Sequence, residues 1–283
     1  MRPLLIFFLV SCAVSAASPD VVVGFLETGL PETGAENASP AKSTLYGRAT
    51  FIKSKGEWKA CSACPRSGKW TIAYDGKKRG EITTEPGPNA ERQEMSVLGD
   101  TSAVPRIVTR REDFAGWNGA PWGRPLLLVR EGLPGDPEKW SRAEPTPSEK
   151  ESAIAAYLKK YPKVTNCKPD LVTVDKKFRM SVKNLPVHIA FRSVSGSLLI
   201  VLKPDGYGCD GPISDGWDAQ TFYLEADKPA AFVGKGLAPL EAADVDGDGK
   251  SEWLFWYAGY NRDGYRLFYD GMKKHVVFDW GYH

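Results

Sequence analysis

Asp244-Val245-Asp246-Gly247-Asp248-Gly249-Lys250-Ser251-Glu252 runs without a break into Trp253-Leu254-Phe255-Trp256-Tyr257. An acidic turn followed at once by a short apolar and aromatic run reads as a loop feeding a buried strand. Hard cations such as calcium take roughly six to eight oxygens, and acids at loop positions 1, 3, 5 and 9 with a carbonyl at 7 can wrap one ion. Those positions are Asp244, Asp246, Asp248, Glu252 and the carbonyl of Lys250, and Gly249 at position 6 permits the sharp turn. Without a cation, four acids within nine residues repel one another. An EF-hand would place an acid at position 12 and a helix beyond it, whereas position 12 is Phe255, inside the strand. The expected cofactor is therefore Ca2+ in a strand-flanked loop.

Residues 240–258 resemble the calcium loop of FG-GAP and VCBS-type repeats, in which an Asp-x-Asp-Gly-Asp-Gly-x-x-Glu turn leads into an aromatic strand. The resemblance implies side-chain ligation by Asp244, Asp246, Asp248 and Glu252, and a β-propeller built from several such repeats; this chain carries one clear copy. The continuation Ala258-Gly259-Tyr260-Asn261-Arg262-Asp263-Gly264-Tyr265 and the ending Trp280-Gly281-Tyr282-His283 are similar to a recurrent ending of exported bacterial proteins, a likeness that brings no activity with it.

Upstream, the chain continues in short β segments. Val21–Leu26, Leu45–Ile52, Lys69–Tyr74, Gly80–Thr84, Arg106–Thr109, Leu126–Arg130, Leu198–Leu202 and Thr221–Glu225 read as strands, punctuated by Asp75-Gly76 and Asn118-Gly119 turns. Val187, Ile189 and Phe191 alternate with His188, Ala190 and Arg192, which predicts one buried and one more polar face. The dense aromatics from Trp253 to Tyr282 demand burial, so this stretch should be a central hairpin or meander. Trp70–Lys78 and Arg266–Lys274 echo each other through a Tyr-Asp-Gly turn. Their separation of about 195 residues would suit four blades of roughly 45 to 50 residues. One amphipathic helix is expected: Ser148 and Glu151 form a capping box, Ile154, Tyr157, Leu158 and Tyr161 make the apolar stripe, and Pro162 stops it. The expected fold is all-β, mainly antiparallel, with one helix, propeller-like or alternatively a β-sandwich. Residues 17–283 would form a single domain, with an internal boundary placed, if anywhere, near 143–148.

The N-terminus has Arg2, the apolar run Leu4–Val10 and small residues after it, the layout of a secretory signal peptide with cleavage after Ala16 or Ala17. Leu9-Val10-Ser11-Cys12 also matches a lipobox, which would make Cys12 a lipidated N-terminus. The protein is therefore expected to be exported, to the periplasm or beyond, with no transmembrane segment in the mature chain. Cys61, Cys64, Cys167 and Cys209 then meet an oxidising compartment, where disulfides are the default and three pairings are open. Cys61 with Cys64 and Cys167 with Cys209 is favoured, because the first two are too close to be shared easily between distant partners. Cys61-Ser62-Ala63-Cys64 as a redox motif should open a helix, and a four-cysteine zinc site would need a second short spacing.

Lys+Arg 37 against Asp+Glu 35 leaves the chain close to neutral, which argues against a nucleic-acid partner. No Gly-x-Ser-x-Gly elbow, phosphate loop or dinucleotide fingerprint occurs. His188 and His275 read as structural. Trp117 and Trp122 share a Gly/Pro-containing loop and are candidates to stack on a glycan or a peptide. The reading is an exported, monomeric, calcium-binding β protein whose partner is a glycan or an envelope or extracellular protein, in a non-catalytic role. The alternative is a secreted or periplasmic hydrolase with an acidic pair that no motif reveals, which a deep pocket holding two close carboxylates would favour.

Overall fold

The computed structural model describes residues 20–31, 43–101, 104, 114, 121, 123–130, 135–162, 164, 166–168, 173–205 and 218–282. Every strand pairing among them is antiparallel. The signal-like segment, Arg106–Thr109, Trp117, Trp122 and Cys209 lie outside the described residues.

Seven strands build the first layer: β1 (Val21–Pro31), β2 (Ser43–Ser54), β3 (Glu57–Ala60), β4 (Gly68–Tyr74), β5 (Lys77–Pro86), β6 (Glu94–Leu98) and β7 (Leu126–Val129). Their order is β1-β7-β4-β5-β6-β2-β3, and β1 also pairs with β2, so six strands close into a barrel that carries β3 as an appended hairpin strand. Closure removes the exposed strand edges that an open sheet must otherwise protect. β1 bends at a bulge between Val23 and Gly24, where any Cβ on Gly24 would lie 2.4 Å from the Arg48 carbonyl oxygen. Only glycine allows that close approach.

The second layer is a sheet of order β14-β13-β12-β11-β8, made of β8 (Ser141–Arg142), β11 (Val187–Arg192), β12 (Leu198–Leu202), β13 (Gln220–Leu224) and β14 (Ala231–Lys235), with a small β9 (Asn166–Cys167) and β10 (Val174–Asp175) pair beside it. The helix α1 (Pro147–Lys160) covers one face of this sheet. Its capping box lies two residues earlier than the sequence suggests: Thr146 caps, Pro147 occupies the first turn, and Glu149 takes the Thr146 backbone N–H at 2.7 Å. Proline lacks a backbone N–H and has its φ preset, so it suits a first turn and draws the cap to the residue before it. Ala153, Ile154 and Tyr157 form the buried stripe, while Leu158 is 36% exposed. Residues 143–146 join β8 to α1, two elements of this same layer. β11 also departs from simple alternation. A register shift between Val187 and Ile189 leaves Ala190 as its buried residue facing the helix, and Phe191 packs on the opposite side.

The third layer is the aromatic meander of β15 (Leu237–Ala243), β16 (Glu252–Gly259), β17 (Arg262–Tyr269) and β18 (Lys274–Gly281). Successive side chains of a strand point to opposite faces. Leu254 and Trp256, with Tyr265, Leu267 and Phe278, pack into the barrel core, whereas Trp253 and Phe255, with Phe268, pack against Leu199 and Phe191 of the second layer. Burial on both faces is why this stretch is apolar at nearly every position. A polar cluster pins it to the barrel: Glu27 accepts from Arg48 and from the Tyr265 hydroxyl, each at 2.8 Å, and the Arg48 guanidinium lies 4.3 Å from the Trp280 ring centre.

The echoing Tyr-Asp-Gly turns are real: Asp75-Gly76 and Asp270-Gly271 all have positive φ, as tight hairpins require. They join β4 to β5 in the closed barrel and β17 to β18 in the open meander, so the echo is one of turn chemistry. No radial array of blades occurs among the described residues, and no described helix is long and apolar enough to cross a membrane.

Candidate metal centre

The acidic loop connects β15 to β16, at the junction of the meander with the barrel. Its backbone wraps around its own carboxylates. Asp244 Oδ1 accepts from the N–H groups of Gly247 at 2.7 Å and Asp248 at 3.1 Å, and Oδ2 accepts from Gly249 at 2.9 Å. Gly247 and Gly249 have φ of 75° and 85°, the left-handed region that their lack of a side chain permits. Asp246 Oδ1 accepts from Asp248 N–H at 3.1 Å, and Glu252 Oε2 accepts from Val245 N–H at 3.0 Å.

Carboxylate oxygens of Asp244, Asp246 and Glu252 lie within 4.8 Å of one another. Three of the four expected side-chain ligands thus lie together. Asp248 is exposed, and its Oδ1 accepts from Lys250 N–H at 2.9 Å. Glu252 is 2% exposed, and burial, followed by the nearby charge of Asp246, pushes its carboxyl up to about 8. A cation would hold that group ionised instead. The donors are all oxygens, which suits a hard ion such as calcium or magnesium and not the nitrogen and sulfur preferences of zinc.

Two side chains from the barrel complete the site, and neither has a local sequence signal. The Lys53 ammonium at the end of β2 donates to Asp246 Oδ2, and Trp58 Nε1 on β3 donates to the same oxygen at 3.2 Å. Lys53 lies 193 residues from Asp246 in the chain, so only the closed fold reveals the contact. On the other side, Gly135 bridges to Asp244, while the Ser251 hydroxyl donates to Asp136 at 2.7 Å and its N–H to Glu138 at 3.2 Å.

The remaining expected positions separate. Cys61 and Cys64 form a disulfide with Cα atoms 5.3 Å apart, immediately after β3, in an irregular segment that opens no helix. Cys167 lies in β9, and Cys209 is not among the described residues. His275 stacks on Phe268 with ring centres 5.1 Å apart. Compared with protein-family models, curated proteins and solved structures, this chain has no match.

Proposed function

We propose that this chain is an exported β protein in which the loop between β15 and β16 holds a calcium ion, and that its role is binding or envelope structure and not catalysis. The observation that carries the metal reading is the convergence of Asp244, Asp246 and Glu252 around a single small volume, with Glu252 buried. Asp244 and Asp246 with Glu252 would hold the ion, which would supply the positive charge that three carboxylates need beyond the single ammonium of Lys53. The loop is fastened to the barrel through Asp246 and to residues 135–138 through Asp244 and Ser251, so a bound ion would stiffen a junction between layers.

Support for the non-catalytic side comes from Glu241, one of three acids, with Asp75 and Asp136, that line a cavity of about 780 Å³ between the layers. Glu241 is buried, its two oxygens accept the N–H groups of Asp75 at 3.0 Å and Gly76 at 2.6 Å, and Arg124 lies 3.4 Å from Oε2. Burial raises its pKa, yet every oxygen is committed to capping the β4–β5 turn. An acid so engaged is poorly placed to transfer a proton to a substrate.

The test is thermal unfolding of the oxidised protein in excess chelator and in calcium, beside an Asp244→Asn/Glu252→Gln variant whose amides keep the same size. With dissociation constants of ~10⁻⁴ to 10⁻³ M, 1 mM calcium stabilises by about 1 kcal/mol. The wild type should melt higher in calcium and the variant should not respond. Equal melting of the wild type with and without calcium overturns the metal reading.

A further inference from the structure

The charge of this near-neutral chain is unevenly placed. Residues 158–183 hold eight Lys or Arg against two Asp or Glu, a net of +6, so the rest of a chain whose net charge is +2 carries −4. The stretch runs from the last turn of α1 through the β9–β10 pair to the short helical turn Val182–Asn184. Within it Lys159, Lys168, Lys176, Lys177, Arg179 and Lys183 are exposed, with no carboxylate partner among the described residues. Asp175, the acid described there, accepts from the Lys177 backbone N–H at 2.9 Å.

Apolar side chains open at the same place. A groove of about 650 Å³ lies between the end of α1 and β10 with the segment after it, and Leu158, Tyr161, Val174, Phe178 and Met180 line it together with Lys176 and Arg179. Leu158 is 36%, Val174 43% and Val182 53% exposed, so this short stretch supplies three of the seven exposed large apolar residues described in the chain. Taken singly, exposed lysines and valines are ordinary, because water solvates the first and isolated apolar residues dot every surface. Their coincidence is the observation: a cationic field around an open apolar groove fits a partner that presents both negative charge and hydrocarbon. A soluble polyanion would meet the cations and leave the groove wet, and an apolar protein face would fill the groove and leave the cations unmatched.

We propose that this face docks on the surface of an anionic lipid membrane. The cations around the groove lie among the lipid phosphates, and Leu158, Val174 and Val182 enter the boundary of the acyl chains. This rests on the envelope role proposed above for access to a lipid surface and does not require the metal loop to be filled.

The test is co-sedimentation of the oxidised protein with vesicles of phosphatidylcholine containing about 30% phosphatidylglycerol, beside vesicles of phosphatidylcholine alone. Excess chelator is present throughout, so failure of the metal reading leaves the result intact. The mixed vesicles should bind the protein and the neutral ones should bind it at least about a hundredfold more weakly. Each cation near an anionic surface contributes about fivefold, so Lys176→Gln/Lys177→Gln/Lys183→Gln should lose about a hundredfold for the mixed vesicles. Those three side chains are exposed, and an unchanged melting curve verifies the fold. Lys55→Gln/Lys69→Gln/Lys77→Gln removes the same charge from exposed positions of the barrel and should bind within about twofold of the wild type. Val174→Ser/Val182→Ser should lose about tenfold for the mixed vesicles, since covering the exposed part of each valine contributes about threefold. Its binding to heparin, a polyanion without hydrocarbon, should equal that of the wild type. Absence of binding to the mixed vesicles, equal binding to both kinds of vesicle, or a barrel variant as impaired as the groove variant overturns the proposal. Undiminished vesicle binding by the valine variant overturns it too, by assigning the face to a soluble polyanion.

Discussion

Replacing Lys53 by Met removes an ammonium that the fold aims at the acidic loop. Lys53 is 23% exposed at its side chain and Asp246 only 2%, so the substitution leaves a buried carboxylate without its charge partner. Removing one member of a buried pair costs about 3 to 5 kcal/mol, and the half-open position of Lys53 puts this case near 3. At roughly 2 to 3 °C per kcal/mol for a chain of this length, the variant should melt about 6 to 9 °C lower in chelator. In the proposed calcium-bound state the comparison changes, because ion and ammonium would draw on the same Asp246 carboxylate. With dissociation constants of ~10⁻⁴ to 10⁻³ M, about 10 mM calcium stabilises the wild type by about 1.4 to 2.7 kcal/mol. The variant has lost the competing charge and gains about 3 kcal/mol more, so in calcium the two proteins should melt within about 3 °C. Differential scanning calorimetry in both buffers measures all four midpoints. If the gap persists unchanged in calcium, Lys53 and the ion do not share Asp246. If no gap exists in chelator, the ammonium does not offset the loop's charge at all.

Other perturbations follow from the same contacts. Glu27→Gln leaves Arg48, 2% exposed, with Glu94 at 3.5 Å in place of its closest carboxylate, and should cost about 3 kcal/mol, read as a loss of denaturation midpoint with unchanged m-value. Glu149 is held at a pKa of about 2, against an ordinary 4.5, first by the two-pronged hydrogen bond from Arg192 at 2.7 and 2.8 Å. Its carboxylate therefore contributes above pH 4.5 and loses that contribution as pH falls through about 2. Glu149→Gln should cost about 1 to 2 kcal/mol at neutral pH, with the wild-type and variant stabilities converging as pH approaches 2. The Cys61–Cys64 bridge closes a short loop, so Cys61→Ser/Cys64→Ser should cost about 2 kcal/mol, matched by the effect of reductant on the wild type. A variant pair more stable than the oxidised wild type would contradict that account.

Local chemistry was legible in the sequence, and long-range assembly was not. Among the described residues, the Asp75-Gly76 turn, strands such as β1, β2, β4 and β12, and the helix follow from glycine placement, apolar patterning and the 3.6-residue period. The aromatic run from Trp253 correctly demanded a central meander, because no solvated strand is apolar on both faces. Barrel closure by the β1–β2 pair leaves no local mark, since its hydrogen bonds look from either strand like those of any hairpin. The helix cap was misplaced because two overlapping Ser/Thr-x-x-Glu patterns, Thr146–Glu149 and Ser148–Glu151, compete, and Pro147 decides between them. The candidate site was legible as a cluster of acids, whereas Lys53 and Trp58 come from strands that only the barrel brings near. The cavity had no signature, because its walls are ordinary strand residues from three layers.

The meander also governs how the molecule should unfold. Leu254, Trp256 and Tyr265 belong to the barrel core, and Trp253, Phe255 and Phe268 to the core shared with the second layer. One sheet therefore completes two cores, and detaching it from either side exposes large aromatic side chains on that side. Each fully buried aromatic contributes about 1.5 to 3 kcal/mol, so exposing three of them on one face costs about 5 to 9 kcal/mol, comparable with the whole stability of a domain. A state with the barrel folded and the second sheet released would carry that cost with little gain in return. The expected result is a single calorimetric transition with van't Hoff and calorimetric enthalpies in agreement. Two separated transitions in the wild type would show that the meander does not couple the layers. If the wild type unfolds in one step and Trp253→Ala splits the transition in two, the coupling runs through the face of β16 that meets the second layer.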